Sequence, residues 1–246
     1  RVIALFSHLS NATDEEDRAA LRRFLDGVGA AAASGVTPPL RHLAATHAAY
    51  HAALAAPGRT LQFVYVVDGP HEGALARLKA LKAAGEPVEI LHHAHPFGEA
   101  TALTTGFRHA RGERILTLTE KPVVEPAALG TLLAAAADYD LVTGWSRADG
   151  RPRKFEFATR LLFGSHFHDQ RAPGRVLRRA VGEELTLFGQ QHYFLPLLAE
   201  THGFTVKEVE VVADPAAARA SAPPQLSLLL DLVTAFFLIR FIKRPF

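Results

Sequence analysis

The chain has 246 residues, of which 48% are hydrophobic and 21% charged, and its net charge is +2 with histidine neutral. This length suits one large α/β domain with a sizeable core, and the composition excludes disorder over most of the chain. The absence of cysteine excludes disulfides, thiolate metal sites and thiol nucleophiles, and it fits a cytoplasmic protein. No Lys/Arg-rich block is long enough to indicate a nucleic-acid partner.

The amino-terminal quarter is predicted to contain one strand and two helices. An apolar run at residues 2–6 predicts the strand. One helix is expected through Leu25, capped by Thr13 or Asp14, and a second over about 39–55, after a Gly/Pro break. His47 and His51 stand four residues apart on the second helix. That spacing can bind metal, and the alternative is a pair of surface or packing histidines.

The strongest strand pattern, at residues 61–67, is rich in β-branched and aromatic side chains and ends in an Asp-Gly-Pro turn at 68–70. A helix over 72–84 and a strand over 88–92 complete a βαβ unit. This alternation predicts a mostly parallel sheet flanked by helices. A histidine cluster at the end of the last strand is a weak metal candidate, because no acid or thiol completes it: His92, His93 and His95.

The stretch after this unit is predicted to reach the ligand-binding edge of the sheet. Gly98 precedes a segment with apolar residues at helical spacing, and Gly112 is expected to end that helix in a left-handed turn. A buried strand follows at 115–118, and the chain emerges at residues 119–121. Because ligands bind at the carboxyl ends of strands in open α/β sheets, residues 119–121 are the expected centre of the site.

The pattern Gly-x-x-x-Ala-Leu-x-x-Gly-Phe-x-x-Ala-x-Gly that begins at Gly98, followed by a strand, a polar turn and a proline, resembles the family 2 glycosyltransferases. The branch that it resembles moves a sugar from a nucleotide to a polyprenyl (dolichyl-type) phosphate. The resemblance implies a glycosyltransferase A-type, Rossmann-like fold, a nucleotide-sugar donor and a lipid-phosphate acceptor. It also implies Mg²⁺ or Mn²⁺, held in the family by an Asp-x-Asp turn.

That Asp-x-Asp turn is degenerate in this chain. The matching positions are Thr119 and Lys121, with Glu120 between them. Hard divalent cations prefer carboxylate oxygens, so Glu120 could supply at most one ligand. One carboxylate does not make a metal site, and none is predicted here. Lys121 would repel the ion, but it could supply positive charge beside the diphosphate of a metal-independent enzyme. The candidate catalytic residues are Glu120, Lys121 and Asp169.

The resemblance also implies residues that bind the donor. The family's Asp-Asp-Gly-Ser turn is reduced here to Asp68 and Gly69, for which a plain turn is the alternative. A helix is expected after Pro126, to Ala137, and then a strand at 140–144. The strand leads to Arg147, which matches a phosphate-contacting arginine of the family, or belongs to a solvated polar loop.

Two later stretches match the family in part. Residues 169–179 resemble the element under the donor sugar and acceptor phosphate, with Asp169 and Gly174 retained and Arg171 in place of a glycine. Residues 191–199 and 203–209 resemble a helix and a strand of this branch. Arg219 and Ser221 weakly match its phosphate-holding segment. The predicted substrate- and nucleotide-binding residues are Asp68, Gly69, Gly98, Arg147, Arg160, Arg178, Arg219 and Ser221.

We expect a glycosyltransferase-like domain over residues 1–212, an Ala/Pro-rich linker over 213–224 and an amphipathic helix over 225–246. The apolar run in this tail is about a turn short for a bilayer span and carries charges. A helix in the membrane interface is therefore predicted, with contact through 226–244. It would place the protein in the cytoplasm, peripheral on the inner face of the membrane. Docking on the protein's own sheet or on a protein partner is the alternative.

Two hypotheses about function follow. The first is a transferase that moves a hexose from a nucleotide-sugar to a polyprenyl-phosphate-type acceptor at the membrane. The second is a catalytically silent subunit of the same fold, acting as a structural, assembly or nucleotide-binding module. The loss of the Asp-x-Asp and Asp-Asp-Gly-Ser patterns favours the second, and the retained Asp68, Arg147, Arg160 and Arg178 favour the first.

Overall fold

The structure is a computed structural model that describes residues 2–9, 50–119, 124, 128–146, 154–169, 172, 174–212, 230 and 232–234. Its elements in chain order are β1 (Val2–Leu9), β2 (Thr60–Asp68), α1 (Glu72–Ala83), β3 (Val88–His93), α2 (Glu99–His109), β4 (Arg114–Thr119), α3 (Leu129–Ala135), β5 (Leu141–Trp145), α4 (Lys154–Phe163), β6 (Arg175–Arg178), α5 (Arg179–Glu184), a 3₁₀ turn (Gln191–Phe194), α6 (Leu195–Thr201) and β7 (Val206–Glu210).

The seven strands form one sheet in the order β3-β2-β1-β4-β6-β5-β7. The pairs β1–β2, β1–β4, β2–β3 and β5–β7 are parallel, whereas β6 runs antiparallel to both of its neighbours. The prediction of a mostly parallel sheet flanked by helices is confirmed. β6 was not among the predicted strands, because it has only four residues and an arginine at each end.

The core lies on both faces of this sheet. Successive strand residues point to opposite faces, so Ile115 joins the cluster beneath α2, α5 and α6, while Leu116 joins the cluster beneath α1 and α3. Leu177 and Val176 of β6 divide in the same way, and all four side chains are fully buried. This two-sided burial explains why the inner strands read as continuous apolar runs in the sequence.

The predicted end of α2 is wrong. The helix stops at His109, and Ala110 leaves it with extended backbone, φ −70° and ψ 120°. Gly112 is absent from the glycines with positive φ, so it makes no left-handed turn. The glycine that does need this conformation stands at the other end of the helix, where Gly98 has φ 90°.

Several predicted segments lie outside the described residues: the helix at 13–25, most of the helix at 39–55, the linker at 213–224 and most of the tail. The described parts of these regions are helical, at residues 50–54 and at 230 and 232–234. Leu232 is fully buried in the cluster that also contacts α4, whereas Leu230 is exposed. None of the described helices is long and apolar enough to cross a membrane.

Candidate functional site

Six of the seven strands end at the same edge of the sheet. β4 and β5 each run antiparallel to β6, so they point in the same direction as β1, β2 and β3, and β7 follows β5. The loops after β2 and β3, and the loop that leads into β6, therefore meet at this edge, which we call the carboxyl edge. It is the edge at which open α/β sheets bind ligands.

Asp68, the last residue of β2, is a buried carboxylate whose two oxygens both accept hydrogen bonds. The backbone N–H of Phe97 donates to both of its oxygens, at 2.9 and 3.0 Å, and the N–H of Gly98 donates to Oδ2 at 2.7 Å. His93 Nδ1 lies 2.7 Å from Oδ1. Only 3% of Asp68 is exposed. The carboxylate therefore fixes the loop that precedes α2.

The histidines at this edge fasten loops. His93 Nε2 lies 3.0 Å from the Thr105 hydroxyl of α2, and His92 Nε2 lies 3.0 Å from the carbonyl oxygen of Gly69. His51 lies away from this edge, and its Nδ1 is 3.1 Å from the carboxylate of Glu86, which precedes β3. Among the residues that the structure describes, no group of three or more His, Asp or Glu side chains could hold a metal ion.

Three of the predicted binding residues come together here: Asp68, Gly69 and Gly98. Gly69 and Gly98 have φ of 111° and 90°, a backbone conformation that favours glycine. Phe97 immediately precedes Gly98, and its backbone N–H is one of the donors to Asp68. The residue is 60% exposed. Phe97 is not among the predicted binding residues, because one aromatic residue in a loop has no periodicity.

A second carboxylate organises the other half of the carboxyl edge. Glu208 of β7 accepts the backbone N–H of His168 at 2.8 and 2.9 Å and that of Asp169 at 3.0 Å. His168 Nδ1 adds a contact of 2.9 Å to the same carboxylate. The His168 ring stacks on Trp145, with 4.6 Å between centroids. No motif marks Glu208 in the sequence.

A buried arginine lies beneath this half. Arg175 starts β6 opposite Thr117 of β4 and is 4% exposed. Burial lowers the pKa of its guanidinium to about 10, while Glu99 and Asp169 oppose that shift by favouring its charge. The side chain is therefore a cation at neutral pH, buried next to two carboxylates. Asp169, a predicted catalytic candidate, is itself 7% exposed.

Two glycines let the segments at this end approach closely. The Gly144 N–H donates to the carbonyl oxygen of Gly174 at 2.9 Å. A Cβ on Gly174 would lie 2.6 Å from Val124 Cγ2, and one on Gly144 would lie 2.9 Å from a Val211 methyl. Gly174 is thus kept by packing, which the family pattern alone did not show.

Arg178 lies at the opposite edge, which we call the amino edge. It pairs with Arg114 at the start of β4, and a strand rises about 3.3 Å per residue, so the five steps to Thr119 separate the two edges by roughly 17 Å. Its Nε lies 3.3 Å from Asp140 Oδ1. This position separates Arg178 from the loops around Asp68, and its donor-binding role stays a prediction.

The amino edge carries an open groove of about 400 Å³ next to Arg178. Its arginines face carboxylates: Arg179 lies 3.2 Å from Glu183, and Arg111 lies 3.1 Å from Glu89. The positive charge of this groove is therefore largely compensated. It offers no counterpart to the loops that converge at the carboxyl edge.

Arg160, another predicted phosphate-binding residue, is exposed on α4, between Phe157 and Leu161. These two apolar neighbours are 68% and 74% exposed, while Thr159 on the inner side of the helix is fully buried. Within residues 157–163, the part of α4 whose side chains are described, Arg160 is thus exposed together with two large apolar side chains.

The remaining predicted site residues lie outside the described part of the chain: Glu120, Lys121, Arg147, Arg219 and Ser221. Thr119 is the last residue of β4 and lies opposite His8 of β1, so the described part of this strand ends at the carboxyl edge. The set Thr-Glu-Lys combines one carboxylate with one cation, which does not fit a divalent metal ion. Two described carboxylates of the carboxyl edge, Asp68 and Glu208, are bound to backbone N–H groups.

Among curated proteins, the chain is similar to an undecaprenyl-phosphate 4-deoxy-4-formamido-L-arabinose transferase of Pseudomonas aeruginosa. The two are 27% identical over 191 residues, which cover 72% of this chain and 56% of that protein. The chain thus spans little more than half the length of the curated relatives that it matches.

Solved structures share the fold over nearly the whole chain. Mannosyl-3-phosphoglycerate synthase from Rubrobacter xylanophilus has a TM-score of 0.59 at 14% identity, covering 98% of this chain and 74% of that one. Glucosyl-3-phosphoglycerate synthase from Mycobacterium tuberculosis, solved with Mn²⁺, UDP-glucose and phosphoglyceric acid, has a TM-score of 0.52 at 14% identity and covers 97% and 79%. These likenesses show a glycosyltransferase A-type fold, which confirms the predicted fold class.

The family model of glycosyl transferase family 2 matches residues 43–192. The matched segment includes the fastened loop before α2, the whole of β4 and the buried Asp169 and Arg175. It accounts for more than half of the chain, and the resemblance inferred from the pattern at Gly98 is confirmed. The chain belongs to glycosyl transferase family 2.

Proposed function

We propose that the protein transfers a sugar from a nucleotide-sugar to a polyprenyl phosphate at a membrane surface. The observation that carries this proposal is the similarity, over 72% of the chain, to a protein named as an undecaprenyl-phosphate sugar transferase. The carboxyl edge supports it, because a buried carboxylate holds the loop before α2 at the edge where β4 ends. The alternative of a catalytically silent subunit gains no support from these relatives, which are named as transferases.

The reaction needs positioning and charge more than proton transfer. An oxygen of the anionic lipid phosphate forms a bond to the anomeric carbon of the sugar, while the bond from that carbon to the diphosphate oxygen breaks. The nucleoside diphosphate leaves with the electron pair. Because the acceptor is already anionic, a general base contributes little, and the protein's task is to hold the two phosphates close despite their repulsion.

Cationic side chains and one hydroxyl group of the chain are proposed to hold those phosphates. Arg147, Arg219 and Ser221 are assigned to phosphate binding, and Lys121 to the leaving diphosphate. In the structure solved with Mn²⁺ and UDP-glucose a metal accompanies the donor, but the Thr-Glu-Lys turn here does not fit one. Arg175 remains charged beneath the edge and is proposed to hold Asp169 in place under the donor sugar.

Contact with the membrane is proposed through two surfaces. One is the tail at 226–244, and the other is the outer side of α4, where Phe157 and Leu161 are exposed and Arg160 lies between them. Apolar side chains with an interleaved arginine suit the interface of a bilayer with anionic head groups. We accordingly propose a peripheral location on the inner face of the membrane.

The test is a transfer assay with the full chain, vesicles that contain undecaprenyl phosphate, and UDP- or GDP-linked hexoses carrying a radiolabel. Label that becomes extractable into organic solvent, only when the lipid phosphate is present, is the expected result. Failure to bind any of these nucleotides at millimolar concentration would contradict the proposal.

The role of Lys121 is tested in the same assay with EDTA. We expect transfer to survive EDTA and to fall at least about 100-fold in Lys121→Ala, the scale of losing one preorganised charge contact to the leaving group. Lys79→Ala, on the exposed side of α1, is the matched control and should keep full activity. Transfer that EDTA abolishes and Mn²⁺ restores would overturn the metal-independent site while leaving the transferase assignment intact.

A further inference from the structure

Phe97 has an unusual combination of exposure and rigidity. Its residue exposure is 60%, although large apolar side chains are normally buried. Its own N–H is bound to both oxygens of Asp68, and the N–H of the next residue, Gly98, is bound to one of them. A side chain that is exposed on a loop fixed this firmly is already ordered before any ligand arrives, which lowers the entropic cost of binding.

The ring is also held from the side. The His93 and Phe97 rings meet nearly at right angles, with 5.4 Å between centroids and an interplanar angle of 83°. His93 is in turn fixed by Asp68 at 2.7 Å and by Thr105 at 3.0 Å. The contact covers part of the phenyl ring and leaves the rest open at the carboxyl edge.

We propose that Phe97 is the platform on which the base of the donor nucleotide stacks. The inference rests on the proposed function, since it requires a nucleotide donor at this edge. A nucleobase is a flat aromatic group, and an exposed, rigid aromatic side chain is the usual protein surface for stacking it. Phe97 stands at the ends of β2 and β3, beside Gly69 and Gly98, where two glycines let a ligand approach the backbone.

The surroundings of Phe97 favour a base over a lipid. The exposed residues next to it are His92, Ala94, His95 and Pro96, which include two imidazoles and no large aliphatic side chain. The membrane surface proposed on α4 is different, because there Phe157 and Leu161 are exposed together. A phenyl ring with imidazoles among its exposed neighbours matches a ligand that is flat on its face and polar at its edge.

Stacking on a phenyl ring does not distinguish one base from another, since every base has a π face. The proposal therefore makes a specific claim: UDP and GDP should both depend on Phe97. Selection between them would come from hydrogen bonds made by other residues.

The experiment is calorimetric titration of the full chain and its variants with UDP and GDP. Phe97→Ala and Phe97→Leu should each bind both nucleotides about tenfold more weakly, the effect of removing one base–aromatic stack. Phe97→Tyr, which keeps a ring, should retain wild-type affinity. Phe188→Ala removes another exposed phenylalanine, 64% exposed, and should leave the affinity unchanged.

The outcomes separate this inference from the proposed function. If the wild-type chain binds neither nucleotide, both fail. If it binds them and Phe97→Ala or Phe97→Leu binds equally well, only the stacking platform is overturned. If Phe97→Ala loses affinity for vesicles of anionic lipid and keeps its affinity for nucleotides, the ring contacts the membrane, and the inference is likewise overturned.

Discussion

Asp68 and Glu208 stand at two distant strands of the same sheet and make the same pattern of contacts. Each carboxylate accepts two consecutive backbone N–H groups, those of Phe97 and Gly98 for Asp68 and those of His168 and Asp169 for Glu208. Each also meets an imidazole Nδ1, at 2.7 Å for Asp68 and 2.9 Å for Glu208. Both halves of the carboxyl edge are thus built by a carboxylate that fastens the neighbouring loop.

The two carboxylates differ in their burial and in the exposure of their histidine partners. The Asp68 side chain is 4% exposed and its histidine partner 14%, whereas Glu208 is 9% exposed and His168 is 62% exposed. A hydrogen bond to a charged group is worth more where water cannot replace it. Asp68 should therefore carry more of the stability, while Glu208 should mainly set the position of an exposed ring.

The largest effect is expected for Asp68→Asn. The amide keeps one oxygen but turns an NH₂ group toward the donors of the loop, which leaves at least one backbone N–H unsatisfied. We expect the free energy of unfolding to fall by about 3 kcal/mol. Urea denaturation measures the change, and hydrogen exchange at the amides of Phe97 and Gly98 should become faster.

The matched control is Asp138→Asn, which makes the same chemical change at an exposed position. Its stability should stay within about 0.5 kcal/mol of wild type. Unchanged protection of the Phe97 and Gly98 amides in Asp68→Asn would mean that the loop does not depend on this carboxylate.

A smaller effect is expected for Glu208→Gln, about 1 kcal/mol in the free energy of unfolding, because His168 is already largely in water. The more informative measurement is fluorescence, since Trp145 is the single tryptophan of the chain and stacks on His168. Releasing His168 should change the intensity of its emission. Glu184→Gln, at an exposed position of α5, should not, and an identical spectrum in both variants would show that Glu208 does not fix this ring.

Asp140 extends the comparison to the amino edge, where a carboxylate again fastens a loop. Burial raises the pKa of Asp140, but the backbone N–H and hydroxyl of Thr205, together with Arg178, outweigh burial and hold it below the ordinary 3.8. Its contribution to stability is therefore complete above about pH 5 and is lost as the pH falls through 3.8 and below.

Asp140→Asn should accordingly be less stable than wild type by about 1 kcal/mol at pH 7, and the difference should shrink toward pH 3. Chemical denaturation at a series of pH values measures it. A difference that grows with acid would contradict the sign of the pKa shift.

The smallest expected effect is that of Arg178→Ala on ligand binding. Because Arg178 lies at the amino edge and faces Asp140, its removal should leave the affinity for UDP and GDP within about twofold of wild type, while surface ion pairs of this kind contribute about 1 kcal/mol or less to stability. A large loss of nucleotide affinity would restore the sequence-based assignment and contradict the separation of the two edges.

Much of the fold could be predicted from the sequence. The inner strands are apolar on both faces, and apolar residues recur at helical spacing in the helices. The strand at 61–67 and the unit around it were recognised in this way. The four-residue β6 was missed, and with it the reversal that carries Arg178 away from the carboxyl edge. A motif gives the order of residues along the chain, and only the direction of the strand gives the edge at which each one lies.

The candidate site was less predictable, since its construction depends on contacts between distant segments. Asp68 matched a ligand motif, yet its oxygens are bound to amides almost 30 residues away in sequence. Glu208 and Arg175 lie in stretches that resemble the family, but neither is among the predicted site residues, because a lone acid in an edge strand and an arginine in a short strand have many ordinary explanations. Burial and hydrogen-bond partners, which the sequence does not contain, decide these roles.

The central claim is that the carboxyl edge binds the nucleotide and the amino edge does not. Hydrogen exchange of the full chain, with and without saturating UDP or GDP, tests it most directly. The account predicts that the nucleotide slows exchange at Gly69 and at residues 97–99, and leaves the amides of Arg111, Arg178 and Arg179 unchanged. Protection at those arginines without protection at 97–99 would contradict it.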